Sequence, residues 1–101
     1  MGERKHCLSM VEVRAEIDAL DRAIVARLAD RLHYIDEAAR LKQSRDQVRD
    51  EARIADVLAK VEAEARRLGA NAGVLVATYR TLIEASIAHE LDAFDRPRSR
   101  A

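Results

Sequence analysis

"VEVRAEIDALDRAIVARLADRLHYIDEAARLKQ", residues Val11–Gln43, runs for thirty-three residues without a proline or a glycine. Val13, Ile17, Leu20, Ile24, Leu28, Ile35 and Ala38 recur along it at intervals of three, four and seven. That spacing gathers them on one face of an α-helix. Ser9 stands where a side-chain cap would be needed. A helix of this length is a rod of about 50 Å, against about 30 Å for the diameter of a small domain. Nothing in the stretch provides the usual cause of a sharp kink. Its apolar stripe therefore needs cover that two shorter helices cannot supply. A second copy of the chain, related by twofold symmetry, is the expected cover.

Outward from this stretch the chain stays helical. "QSRDQVRDEA" is the one long polar interruption. A second helix is expected from about Asp50 to Leu68, with Ile54, Val57, Leu58, Val61, Ala65 and Leu68 at helical spacing and Gly69 as its stop. Asn71 can cap a third helix, expected to end before Pro97. Val76, Leu82, Ile83, Ile87, Leu91 and Phe94 mark its inner face. The expected architecture is all-α, with three helices, a very long first one, and interleaving of two chains into a homodimeric bundle. The 101 residues suggest one helical domain over 10–95, a leader over 1–9 and a loose tail over 96–101.

Composition narrows the function. Lys plus Arg and Asp plus Glu balance at 18 each, and there are three aromatic residues. Nucleic-acid binding, which wants a basic face and stacking aromatics, is not expected. Cys7 is the single cysteine, so neither an intrachain disulfide nor a cysteine-ligated zinc site is available. No apolar run approaches a membrane span, and the polar start "MGERKHCLSM" lacks a signal core. A cytoplasmic protein is the expectation. His33 and Glu37 stand one turn apart without a second such pair. They read as a solvated helix face, since a metal site needs three or four ligands. "KVEAEARR" reads as surface ion pairs. No metal and no cofactor is expected.

The informative residues are charges on apolar stripes. Arg31 follows Ile24 by seven residues, and Lys42 follows Ile35 by seven. The two cations return to nearly one azimuth about 16 Å apart along the helix. Glu90 follows Ile83 by seven and occupies an apolar position of the third helix. Arg53 lies at the start of the second helix, where free N–H groups also favour an anion. A buried Lys42–Glu90 bridge would account for two of these charges alone. Three cations against one carboxylate leave an excess that an anionic ligand would balance. His89 is beside Glu90 in sequence but on another face.

With these positions marked, the chain resembles the all-α chorismate mutases. Their first-helix pattern R-x-x-I-D-x-L-D-x-x-I-x-x-x-L-x-x-R, with a lysine eleven residues on, is matched by Arg14, Ile17, Asp18, Leu20, Asp21, Ile24, Leu28, Arg31 and Lys42. "VRDEAR", Val48 to Arg53, resembles their V-x-D-x-x-R, and "LIEASIAHE" resembles I-I-E-x-S-x-x-x-Q. "RLHYIDEAARLK" is also similar to the related isochorismate-pyruvate lyases. The resemblance implies an interleaved dimer with two equivalent sites for a dianionic substrate, chorismate or isochorismate. It implies that Arg14 serves the partner's site, that Arg31 holds substrate carboxylate, and that Lys42 bonds a carboxylate and the ether oxygen. Arg53 adds positive field, and Asp50 and Ser86 line the site. The straight-helix distance agrees with the role of Arg14: it lies seventeen residues before Arg31, about 25 Å away. Two positions depart from the mutase pattern. Ile54 stands where many mutases carry a glutamate that contacts the substrate hydroxyl, and is apolar as in the lyases. Glu90 stands where most bacterial members carry a glutamine that donates to the ether oxygen. A carboxyl donates only when protonated.

Overall fold

The computed structural model describes residues 4–99, with side chains as far as Arg96. Among these residues there are helices and no strands. Helix α1 is Met10–Leu41, α2 is Glu51–Arg67 and α3 is Ala72–Ser99, with a 3-10 turn at Arg45–Gln47 between the first two. The all-α class and the very long first helix are as the sequence indicates. Among the described residues, no helix is long and apolar enough to cross a membrane. Residues 1–3 of the expected leader and 100–101 of the expected tail lie outside the described residues.

Contacts divide the chain into two compact units, the first ending at His33 and the second starting at Tyr34. In the first, Ser9 caps α1 as expected. Its Oγ accepts from the Glu12 N–H at 3.2 Å. Glu12 reaches back to accept from the Leu8 N–H at 2.9 Å. One of the donors that a helix start leaves unpaired, the Glu12 N–H, is thereby satisfied, and the chain just before the cap is tied back to the first turn. Ile17, Leu20 and Ile24, the middle of the apolar stripe, are 48 %, 54 % and 53 % exposed.

The second unit holds the core. Ala39, Val48 and Phe94 are buried together, with Ile87, Leu91 and Ala93 packed against them. Helices α2 and α3 lie against each other, and Ala65 and Ile83 are buried on them. The Asp50 carboxylate caps α2 by accepting from the Arg53 N–H at 3.0 Å. Gly69, at a φ of 69°, ends it. The Gly69 N–H reaches Arg66 O at 3.1 Å and the Ala70 N–H reaches Ala65 O at 2.9 Å. This paired closure needs a left-handed residue after the cap, and glycine takes it without a Cβ penalty. Asn71 Oδ1 then accepts from the Val74 N–H at 3.3 Å to open α3.

Two features differ from the sequence reading. The polar interruption contains the 3-10 turn, with Ser44 as its cap residue and the Gln47 side chain accepting from the Gln43 N–H at 2.8 Å. Helix α3 does not stop before Pro97 but carries it and continues to Ser99. A proline this near a helix end removes one hydrogen bond with only a short helical stretch beyond it to disturb.

Candidate active site

Lys42 directly follows α1, and Glu90 lies on α3. The Lys42 Nζ and Glu90 Oε2 are 2.5 Å apart. Glu90 is 4 % exposed, while the Lys42 side chain keeps 28 % of its surface in contact with solvent. Lys42 is thus the more exposed member of a pair whose carboxylate side is buried. Ser86, one turn before Glu90 on α3, is buried too, and its hydroxyl donates to Leu82 O at 2.7 Å. Ser86 and Glu90 share a helix face by their four-residue spacing.

Lys42 and Asp50 border one open depression, together with Leu41, Gln47 and Arg49. Asp50 borders this depression while its carboxylate caps α2. Arg53 does not join Lys42. Its guanidinium donates to Asp56 Oδ2 at 2.6 Å, one turn along α2, where Lys60 also binds at 2.8 Å. These donors, Lys60 first and then Arg53, hold the Asp56 carboxyl below the usual range. Among the described residues, Arg53 is thus engaged by Asp56 while Lys42 faces Glu90. Arg14 and Arg31 belong to the first unit, Arg14 exposed and Arg31 half-buried.

Three contacts to α3 were not evident in the sequence. His89 Nε2 lies 2.7 Å from Asp36 Oδ1. Arg49 grips Glu84 with two N–H groups, at 3.0 and 2.8 Å, and Arg45 Nε donates to Asp95 at 3.1 Å. All six residues carry charge or a ring nitrogen at positions that read as solvated faces, so neither apolar spacing nor composition signals the pairing. Elsewhere the surface reading holds: Arg66 pairs with Glu62, Arg67 with Glu64, and Glu37 with Arg40. Among the described residues, no group of three or more His, Cys, Asp or Glu is placed to hold a metal.

An ammonium and a buried carboxylate facing each other, beside a capped helix start, form a preorganised polar site rather than a nucleophile–base pair. The family model for type II chorismate mutases matches residues 13–91. The chain belongs to the type II chorismate mutase family. The match spans all three helices and includes Arg14, Arg31, Lys42, Asp50, Arg53, Ser86 and Glu90. No curated protein matches the chain. As a chorismate mutase it is an isomerase.

Proposed function

We propose that this chorismate mutase converts chorismate to prephenate by a Claisen rearrangement in a cationic pocket completed by a second copy of the chain. The Lys42–Glu90 pair carries the reading. In a single pericyclic step one C–O bond breaks as one C–C bond forms, and negative charge grows on the ether oxygen. Lys42 donates to that oxygen and to a substrate carboxylate, and Glu90 supplies a second donor when its carboxyl carries a proton. Arg14 of the second copy and Arg31 hold carboxylates, Arg53 contributes field, and Asp50 and Ser86 line the pocket. Fixed donors stabilise the growing charge without reorganising, and holding the compact conformer removes most of the entropic barrier.

The homodimer is supported by surface that one chain leaves open. Ile17, Leu20 and Ile24 are half exposed on α1. A groove between α2 and α3 is floored by Ile54, Leu58 and Val76 and edged by Glu62 and Arg80. An apolar stripe and an apolar groove on one chain are complementary to their counterparts on a twofold-related copy. The proposed setting is the cytoplasm.

One observation favours a second activity. Ile54 directly follows Arg53 and is half-buried on the α2–α3 groove, so it offers no carboxylate to a substrate hydroxyl. That agrees with isochorismate-pyruvate lyase chemistry, which gives salicylate and pyruvate from isochorismate. Purified protein incubated separately with each substrate tests the assignment. The mutase reading expects prephenate from chorismate at a higher kcat/KM than salicylate from isochorismate. The reverse ranking would transfer the assignment to the lyase, and conversion of neither would leave a non-catalytic dimerisation module.

A further inference from the structure

Adjacent residues of α3 reach back to the same stretch of chain: His89 to Asp36 at 2.7 Å, and Glu90 to Lys42 at 2.5 Å. On a helix, neighbouring residues point about 100° apart, and the six residues from Asp36 to Lys42 span about 9 Å. The segment leading to Lys42 is therefore held to α3 at two separated points and in two directions. Arg45 and Arg49 tie α3 to the connector further along, and the His89–Asp36 contact is the tie to α1 that lies directly beside Glu90. The Lys42 stem, flexible and still in contact with solvent, does not fix the geometry of its own ion pair. His89 is a rigid ring with one rotatable bond fewer than glutamate before its donor atom. Its contact with Asp36 requires a proton on Nε2, which the imidazolium and one neutral tautomer both carry.

We propose that His89 and Asp36 are a positioning pair that sets the register of α3 and thereby places Glu90 against Lys42. This rests on the Lys42–Glu90 reading of the site. Both side chains are partly exposed, at 36 % and 53 %, so the pair contributes little to global stability. A misplacement of about 1 Å at reacting groups, by contrast, costs about 100-fold in rate. The pair acts on geometry, and its signature is a loss of turnover that depends on Glu90.

The test is a double-mutant cycle on kcat for chorismate, with melting temperatures measured alongside. His89→Ala is expected to lower kcat by about 10- to 100-fold, with KM changing less and the melting temperature nearly constant. His89→Gln, whose Nε2 reaches as far as the imidazole nitrogen, is expected to stay within about threefold of the unsubstituted protein. In a Glu90→Ala background, His89→Ala is expected to cost less than about twofold more, because the group it positions is gone. Equal losses in both backgrounds, no rescue by glutamine, or a loss that tracks melting would overturn the positioning role while leaving the site reading intact. An unsubstituted protein that does not rearrange chorismate would remove the site reading and this proposal together.

Discussion

At Glu90 a carboxylate that is 4 % exposed meets the Lys42 ammonium. Removing Lys42 does more than delete a contact, because Glu90 is left buried and uncompensated. Lys42→Ala is expected to lower the rate by about 100- to 1000-fold. It should also lower stability, by at most about 3–5 kcal/mol and by less because Lys42 keeps some solvent contact. Adding Glu90→Gln to Lys42→Ala neutralises the orphaned carboxylate. The double variant should recover most of the melting temperature and little of the activity. Recovery of both would assign the pair to structure alone. Glu90→Gln by itself supplies a permanent donor of nearly the same shape. It should therefore retain turnover that Lys42→Ala loses. A loss in Glu90→Gln as deep as that in Lys42→Ala would mean that Glu90 is not a donor to the reacting oxygen. The meeting of these two residues was legible from their seven-residue offsets and from the family pattern. The place of Arg53 was not: its spacing brings it near the apolar face, but Asp56 and Lys60 on α2 organise its guanidinium locally.

At the scale of elements, the caps at Ser9 and Asn71 and the stop at Gly69 were readable because each depends on one residue type at one backbone position. The connector between α1 and α2 was less so. Its 3-10 turn, and the reach of Arg45 and Arg49 to α3, depend on contacts distant in sequence: Arg45 meets Asp95, and Arg49 meets Glu84. The double grip of Arg49 holds the Glu84 carboxyl below its ordinary range, chiefly by hydrogen bonding. A carboxyl depressed in the folded state contributes stability above its unfolded titration range, and that contribution is lost as pH falls through the folded one. Arg49→Ala is therefore expected to melt slightly below the unsubstituted protein at neutral pH. The gap should close on acidification below the usual carboxylate range. Both groups are exposed, so the effect is small. A gap that is constant with pH would mean that Arg49 acts through packing instead.

For the molecule as a whole, the long first helix is the decisive feature. Thirty-two residues, Met10–Leu41, form one helix, and the middle of its stripe stays half exposed in a single chain. The length argument was available from the sequence because no proline or glycine interrupts the stretch. What one sequence does not encode is which surface covers the stripe, since a partner's groove is built from residues far apart in the chain. In the proposed dimer the α2–α3 groove of one copy receives the stripe of the other, and Arg14 crosses to the partner's Lys42 site. Subunit exchange between Arg14→Ala and Lys42→Ala proteins, each inactive alone, tests this most directly. A mixed dimer gathers both lesions in one site and leaves the other intact. Random exchange makes about half of the dimers mixed, so about a quarter of the sites should regain activity. Rearrangement of chorismate that returns on mixing to about that level is the predicted result. Demonstrated exchange with no recovered activity would contradict a site shared between two chains.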